Sequence, residues 1–378
     1  MTDLTTPKKQ ISIWWFAFGY FAVYVPYSFL TKVLTKGLWV DEAAGKTVSD
    51  WTVSSGEILP PTIMASIIVM ICFISCMKWW KYATQWTLPI GGKKISLPRP
   101  RIWTLLSGIC TGFVVVTTTL AYTIDGVSIV FAMLFMRGGM LIMSPIVDTI
   151  FKRHVRWFSW AALGMSLAAL LVTNLWPYAF EGATFGEKAL MNTMLAIDLI
   201  VYLASYFFRL SFMSKLAKSE NDDDTKKFFV EEQMVGTPSV LIILFIAQFF
   251  APLADPTSGF GKLLVDIHNG FFTFWAHPTQ IIITAALIGF FSQFNGVFGG
   301  LILLDKSENA FAVPVNRCSS ILAGVMATVS LHIVFQELYP MPSTGEFVGA
   351  AFIVGAILFL TLPKMVQKMK AKKAASNA

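Results

Sequence analysis

The chain contains the stretch Asp125-Gly-Val-Ser-Ile-Val-Phe131-Ala132-Met-Leu-Phe-Met-Arg137, and 180 positions later it contains Asp305-Lys-Ser-Glu-Asn-Ala-Phe311-Ala312-Val-Pro-Val-Asn-Arg317. Both stretches read D-x5-F-A-x4-R. Matches of Phe and Ala are common in an apolar chain. A scarce Asp and an Arg within an apolar run, matched at identical spacing, are not. The match therefore indicates an internal duplication.

A second pair of stretches supports this duplication. Ser28-Phe29-Leu30-Thr31-Lys32 is followed 183 positions later by Ser211-Phe212-Met213-Ser214-Lys215. Since both pairs occur in the same order at nearly equal offsets, we expect two similar halves. The predicted organisation is a first half over 1–180, a second half over 181–363 with an acidic linker inside 181–230, and a basic tail over 364–378.

The composition predicts an integral membrane protein. Of 378 residues, 55% are hydrophobic and 13% are charged, and the mean hydropathy is +0.64. Soluble domains carry about 25% charged residues. The apolar residues form long blocks, and about 20 apolar residues span a bilayer as one helix. A membrane β-barrel would instead show short alternating strands, so the predicted fold is all-α.

Ten transmembrane helices are predicted from these blocks. Their approximate ranges are 11–34, 58–80, 102–123, 126–151, 155–177, 189–216, 231–253, 278–304, 308–335 and 342–363. The first block is too long for the apolar core of a signal peptide, so it is interpreted as a membrane helix. With five helices in each half, the second half has the opposite orientation to the first, as in inverted-repeat transporters.

The distribution of Lys and Arg predicts the orientation. Cytoplasmic loops of membrane proteins are enriched in these residues. With both termini in the cytoplasm, 21 Lys and Arg lie on the cytoplasmic side and five on the outer side. We therefore expect a multi-pass protein of the cell or inner membrane with both termini cytoplasmic. The basic balance is explained by loops facing anionic lipid, and it does not indicate nucleic-acid binding.

Two arginines are the main candidates for cargo binding. Arg137 and Arg317 lie near mid-depth in the fourth and ninth predicted helices, where a charged residue normally needs a polar cavity or a partner. Their planar guanidinium groups suit a carboxylate or a phosphate. The alternative is that each arginine is neutralised by a structural partner. Further candidates for contacts with the cargo are Asn316, Gln293, Asn295, Tyr24 and Tyr206.

One acidic residue and two charge pairs are candidates for coupling and gating. Asp198, deep in the sixth predicted helix, is either a proton-coupling site or the counter-ion of an arginine. On the predicted topology, Lys32 and Asp125 share the outer surface, while Lys215 and Asp305 share the cytoplasmic surface. These pairs are predicted gates of two alternating states. The alternative is that they are ordinary solvated charges.

No motif of an enzyme or of a cofactor site is evident. The chain has no P-loop, no H-E-x-x-H and no nucleophile elbow, and we expect neither catalysis nor a bound cofactor or metal. Its four cysteines lie inside apolar blocks and are interpreted as small core residues. The stretch Leu263–Trp275 alternates apolar and polar residues and is rich in Phe. It is predicted to be an interfacial helix, with a lid as the alternative.

Several of these features resemble the drug/metabolite transporter superfamily, including its EamA-like members. They are five helices twice, a short turn between the third and fourth helices, and the Gly-rich fifth helices at Ala161-Ala-Leu-Gly-Met-Ser and Phe347-Val-Gly-Ala-Ala-Phe-Ile-Val-Gly. Met136-Arg137-Gly138-Gly139 followed by Phe151-Lys152-Arg153 is similar to the nucleotide-sugar and chloroquine-resistance-transporter-like branch. Thr31-Lys32 resembles the Asn-Lys ending common there and in triose-phosphate translocators, with Thr in place of Asn.

This resemblance and the two arginines together predict a secondary-active transporter or exchanger that works by alternating access. Its cargo would be a small polar, anionic organic metabolite. The alternatives are an amino-acid or drug exporter of the same superfamily and a non-transporting membrane scaffold or receptor. The expected partners are the cargo, membrane lipid, and a coupling proton or counter-substrate. The protein is expected to be a monomer or a homodimer.

Overall fold

The computed structural model describes residues 12–38, 52–90, 93–121, 129–180, 182, 193–218, 221–336 and 340–376. Within these ranges, the backbone alone is described for residues 88–90, 93–95, 129–134, 193, 222 and 362–376.

The described part of the chain is a bundle of α-helices with one small hairpin. The helices are α1 Ile13–Thr35, α2 Ser55–Cys76, α3 Ile102–Ala121, α4 Ile129–Ile150, α5 Trp157–Phe180, α6 Thr193–Leu216, α7 Asp222–Ala247, α8 Gly259–Phe272, α9 Thr279–Leu303, α10 Asn309–Phe335 and α11 Thr344–Ser376. Among the described residues, nine helices are long and apolar enough to cross a membrane. The described side chains of α4 begin at Phe135, and this 22-residue helix is not in that count.

The helix ends carry the expected capping residues. Ser54 precedes α2 and its hydroxyl accepts a hydrogen bond of 3.1 Å from the backbone N–H of Glu57. Asn221 caps α7 in the same way through the N–H of Asp223, at 3.1 Å. α7 therefore begins at Asp222, well before the predicted start at 231. The acidic run expected as a linker contributes the first turn of this helix, where carboxylates stabilise the N-terminus.

A two-stranded hairpin follows α2, and it was not predicted. Strand β1, Thr84–Ile90, pairs antiparallel with β2, Lys93–Arg99, in a register that sets Thr84 opposite Arg99. The sequence signal was present. Strand-like residues alternate on both sides of Gly91-Gly92, a pair of residues typical of a tight hairpin turn. The positive charge of this region indicates its side of the membrane, and it does not distinguish a hairpin from a loop. A 3-10 turn, Trp79–Tyr82, joins α2 to β1.

The helices pack in a recurrent pattern. α5 packs along α11, α2 contacts α7, and α4 contacts α10. Helix α1 packs against α9 and α10, and α6 packs against α3 and α4. Helix α9 also packs against α2, and α3 also packs against α7. The largest apolar core contains residues of every long helix except α8, and Phe228, Phe229 and Phe311 are fully buried in it.

The two ends of the bundle are held by different polar contacts. The end that carries β1 and β2, called the hairpin end, is tied by Glu231 of α7, which accepts hydrogen bonds from Thr84, Arg101 and Thr104 at 2.7 to 3.2 Å. At the opposite end, called the α8 end, Glu57 lies 2.9 Å from Nε2 of His277, just before α9. Helix α8 confirms the predicted helix in this region, and it packs on α2.

The hairpin end also holds a buried helix cap. One carboxylate oxygen of Asp148, near the end of α4, accepts from the backbone N–H and the side-chain amide of Asn309, at 2.9 and 2.7 Å. The other accepts from the N–H of Ala310 at 2.7 Å. Beside it, Arg156 forms two hydrogen bonds of 2.8 Å with Glu308. The N-terminus of α10 is thus tied to α4 and to the start of α5.

Candidate functional site

A polar cavity of about 290 Å³ lies inside the bundle. Its wall is formed by seven helices, α1, α2, α3, α6, α7, α9 and α10. The polar side chains of the wall are Tyr20, Ser66, Thr111, Tyr206, Arg209, Glu232, Gln233, Thr237, Ser292, Gln293, Asn295, Asn316 and Arg317. Polar groups from both halves of the chain therefore converge on one interior volume. In a membrane helix, such groups mark cargo pathways or contacts between helices.

Arg317 is on this wall, as predicted. Its Nη2 donates to the hydroxyl of Tyr206 at 3.4 Å, while its Nε is buried with no hydrogen-bond partner. No ion pair joins Arg317 to a carboxylate among the described residues. The side chain as a whole is half-buried. Since an arginine keeps its charge, Arg317 presents to the cavity a positive charge that no described carboxylate compensates.

The tyrosine pairs of α1 and α6 surround this charge. The rings of Tyr20 and Tyr24 are 5.6 Å apart, and those of Tyr202 and Tyr206 are 5.0 Å apart. All four hydroxyls lie within electrostatic range of Arg317. Tyr20 and Tyr206 line the cavity, whereas Tyr24, predicted to contact the cargo, packs behind Tyr20 and is not on the wall. The tyrosines thus provide a polar but uncharged setting for the guanidinium group.

A second charged group on the wall was not predicted as a site. Arg209 of α6 donates through Nε and Nη2 to the two carboxylate oxygens of Glu232 in α7, at 2.9 and 3.2 Å. Ser107 and Thr111 of α3 also donate to Glu232, at 2.7 and 3.4 Å. Arg209 lies inside a predicted helix, which was a usable signal. Its partner could not be deduced, because the pairing depends on how α6 and α7 pack.

The three predicted amides lie on the wall but differ in what they bind. Gln293 donates to Gln233 at 2.9 Å and accepts from Thr237 at 3.3 Å, so its amide joins α9 to α7. Asn316 donates to the carbonyl of Gly299 at 3.4 Å, and its oxygen has no partner. The amide oxygen of Asn295 is also buried without a partner. Asn295 and Asn316 therefore have acceptor capacity left for a bound molecule.

Asp198 is buried in α6, outside the wall of the cavity. Only 3% of its surface is exposed, and neither carboxylate oxygen has a hydrogen-bond partner. Asp198, Tyr202, Ser205 and Arg209 follow one face of the helix at spacings of four, three and four residues. All four are buried. A polar stripe thus leads from an isolated carboxyl to the Arg209–Glu232 pair.

Arg137 lies apart from the cavity wall, and only part of the predicted outer gate is described. Arg137 is half-buried in α4, is not on the wall, and lies within electrostatic range of the Tyr20 hydroxyl. Lys32 is in the last turn of α1, and its predicted partner Asp125 lies outside the described residues.

The other predicted gate joins different residues in this conformation. Lys215 lies 6.0 Å from the ring centroid of Trp103, and Asp305 accepts hydrogen bonds from the backbone and hydroxyl of Ser307. Among the described ion pairs, none joins Lys215 to Asp305. The gating role of these residues stays a prediction.

The described residues hold no group of three or more His, Cys, Asp or Glu side chains arranged to bind a metal ion.

Comparison with known proteins yields a likeness of fold alone. No family model matches the chain, and no curated protein matches it at a significant level. A solved structure titled "Crystal structure of protein" is similar over 92% of this chain and 96% of its own, with a TM-score of 0.53 and 13% sequence identity. At that identity, the likeness shows that the described helices adopt an arrangement found in another protein. It gives no information on the function of this chain.

Proposed function

We propose that this protein is a secondary-active transporter of small anionic organic metabolites, related to the drug/metabolite transporter superfamily. The observation that carries the proposal is Arg317, a half-buried charge on the wall of a cavity between membrane-spanning helices, with no carboxylate partner among the described residues. Leaving a charge unpaired in such a place is expensive. A bound anion would supply the missing partner.

The packing of the helices supports a construction from two inverted halves. A shift of five transmembrane helices turns the α1–α9 contact into the α6–α3 contact, and α1–α10 into α6–α4. It also turns α2–α9 into α7–α3, while α5–α11, α4–α10 and α2–α7 map onto themselves. A pseudo-twofold axis relating 1–180 to 181–363 would produce these pairs of contacts. Ten membrane helices, α4 included and α8 excluded, form the proposed repeat.

Single contacts show the same relation. Glu57 of α2 pairs with His277 ahead of α9, and Glu231 of α7 pairs with Arg101 ahead of α3. These pairs lie at opposite ends of the bundle. The two glutamates are 174 positions apart in the sequence, and Arg101 and His277 are 176 positions apart. In inverted-repeat transporters the cargo binds near the midplane, and the two halves rock around it. We propose that the cavity is this site.

The charge distribution supports a cytoplasmic hairpin end. Under this orientation both termini are cytoplasmic and α8 lies at the outer surface. Arg137 is the proposed counterpart of Arg317 in the other half, and it would approach the cargo in the alternate state. Asp198, an isolated buried carboxyl, is the proposed site of proton coupling. Lys32 with Asp125 and Lys215 with Asp305 remain the proposed gates.

An amino-acid exporter is the second candidate of the same superfamily. It would require a carboxylate for the ammonium group of the cargo. Glu232 is the carboxylate on the wall, and Arg209 together with two hydroxyls already holds both its oxygens. An anion therefore fits the described groups better than a zwitterion. A scaffold or receptor without transport has no need of an unpaired Arg317.

Uptake into proteoliposomes tests the proposal. The purified chain is reconstituted, and entry of radiolabelled lactate, succinate, gluconate and glucose 6-phosphate is compared with that of alanine and tetraethylammonium. We expect saturable uptake of at least one anion, lost in Arg317→Gln. The matched control is Arg99→Gln, which makes the same substitution at the exposed end of β2. Transport restricted to the cation or to alanine, or anion uptake that persists in Arg317→Gln, would refute the proposal.

A further inference from the structure

The wall of the cavity carries one net positive charge. Its charged residues are Arg209, Glu232 and Arg317. The first two neutralise each other in a bidentate pair, and Arg317 has no carboxylate partner among the described residues. Arg137 and Asp198 lie outside the wall and have opposite signs. A cargo with a single negative charge would therefore leave the filled cavity neutral.

A doubly charged cargo would leave one charge uncompensated. Phosphate monoesters carry a charge of about −1.5 to −2 at pH 7, and a buried charge without a partner is strongly destabilising. A carboxylate carries a charge of −1, and its two oxygens match the fork of a guanidinium group. The charge count thus favours a monocarboxylate over a phosphate ester.

The residues of the wall have both a hydrogen-bond donor and hydrogen-bond acceptors without partners. Arg317 Nε is a donor, while the amide oxygens of Asn295 and Asn316 are acceptors. All three atoms are closed to solvent in this conformation, so a cargo reaches them only when their side chains turn toward the cavity. A plain carboxylate has acceptors only, and it would leave both amide oxygens unsatisfied. A buried polar atom without a partner costs binding free energy. The cargo therefore needs donors such as hydroxyl groups beside its carboxylate.

The volume of the cavity limits the size of the cargo. The cavity has a volume of about 290 Å³. Pockets for drug-sized ligands begin at about 300 Å³. An acid of about six carbons with its hydroxyl groups fills such a volume, whereas a nucleotide-linked sugar exceeds it.

We infer that the cargo is a small polyhydroxy monocarboxylate, with Arg317 binding the carboxylate and Asn295 and Asn316 accepting from its hydroxyl groups. This inference rests on the proposed function and narrows its substrate class. The sequence resemblance suggested nucleotide-sugars and sugar phosphates. The volume argues against the nucleotide-sugars, and the charge count argues against the sugar phosphates.

Four six-carbon probes separate the contributions of charge and hydroxyl groups. Gluconate has both, hexanoate has the carboxylate alone, glucose has hydroxyl groups without charge, and 6-phosphogluconate adds a phosphate to gluconate. Binding of each to the purified full-length protein is measured by isothermal titration calorimetry. We expect gluconate to bind at least about tenfold more tightly than each of the other three, a difference of about 1.4 kcal/mol.

Two kinds of variant locate the contacts. Arg317→Gln is expected to abolish gluconate binding, while Arg99→Gln leaves it unchanged. Asn295→Leu is expected to weaken gluconate at least about tenfold and to leave hexanoate unchanged, because only the hydroxyl groups lose their acceptor. Asn316→Leu is measured in parallel, and each variant is used only if its elution profile and melting temperature match those of the parent. A purely structural asparagine would change both ligands alike.

The outcomes distinguish this inference from the function on which it rests. If 6-phosphogluconate binds most tightly and requires Arg317, the inference is wrong while anion transport stands. Equal binding of hexanoate and gluconate, or no binding of any probe, also overturns the inference. The proposed function fails separately, when none of the anions tested in proteoliposomes is transported.

Discussion

Glu232 shows how a single residue shapes this cavity. Its side chain is 1% exposed, and three side chains hold its carboxylate, Arg209 with two bonds and Ser107 and Thr111 with one each. Removing one partner from a buried ion pair costs about 3–5 kcal/mol, because the remaining charge stays buried without compensation. The pair therefore neutralises the charge of Arg209 on the cavity wall and also joins α6 to α7.

We expect Glu232→Gln to lower the melting temperature of the purified protein strongly, because Arg209 then lacks a counter-charge. Adding Arg209→Gln should recover most of the loss. The matched control is Asp223→Asn, which breaks the exposed contact with Lys226 at 3.5 Å. Exposed pairs contribute about 0–1 kcal/mol, so this control should melt like the parent. Equal melting temperatures for Glu232→Gln and the control would contradict the importance of the buried pair.

Lys218, in the segment after α6, makes stability depend on pH. Burial, together with the nearby charge of Arg153, lowers the pKa of its ammonium group to about 7 from the ordinary 10.5, against the attraction of Asp148, Asp305 and Glu308. Between these two values the unfolded chain binds more protons than the folded protein, so stability rises with pH. We expect the melting temperature to increase from pH 6 to pH 9, and the increase to be smaller in Lys218→Met. An identical pH profile in the variant would refute this.

The sequence predicted part of the candidate site. A buried Arg, polar amides and tyrosines stand out in apolar helices, and this identified Arg317, Asn316, Asn295 and Tyr206. It did not identify Glu232, which lies at the start of an apolar run and looked like a boundary residue. Side-chain pairing between helices depends on their packing, which residue types alone do not determine.

Among the helices, close contacts at glycine hold α3 to α7 and α2 to α9. A Cβ atom added at Gly108 would collide with Val235, and one added at Gly289 would collide with the backbone of Thr62. Small residues allow membrane helices to approach closely. These contacts occupy equivalent positions of the proposed repeat, since Gly108 and Gly289 are 181 positions apart.

We expect Gly108→Ala and Gly289→Ala each to lower the melting temperature, because the added methyl group forces the paired helices apart. Gly324→Ala in α10 is the control, since no atom lies within 4 Å of its added Cβ. Its stability should be unchanged or slightly higher, as Ala favours helix over Gly by about 1 kcal/mol. Similar destabilisation of all three variants would contradict the role of close packing.

Long apolar blocks made most elements predictable. Nine described helices have the length and composition of membrane spans, and the amphipathic pattern at 263–275 corresponds to α8. Hydropathy identifies segments that lie within the bilayer. The hairpin and the first turns of α7 lie beyond the apolar stretches, so hydropathy did not predict them. There, capping by Asn221 and strand pairing decide the structure.

For the molecule as a whole, the proposed orientation can be tested in cells. An epitope inserted between Pro256 and Thr257, ahead of α8, should bind antibody on intact cells. One inserted between Gly91 and Gly92 in the hairpin should bind only after permeabilisation, as should a tag at the C-terminus. The reverse pattern would invert the proposed topology, and the charge rule would then have failed for this chain.

Among the described residues, the polar contacts at the two ends of the bundle differ, and in the proposed transporter this difference has a kinetic consequence. The Asp148 cap, the Arg156–Glu308 pair and the Glu231 contacts close the hairpin end, while Glu57 and His277 bridge the α8 end. If the contacts that close the two ends differ in strength, a carrier without cargo occupies mainly one of its two orientations. Half-saturation concentrations measured from the two faces should then differ, since each depends on the fraction of competent carriers. The final gradient should not, because a catalyst of exchange leaves equilibrium where it was.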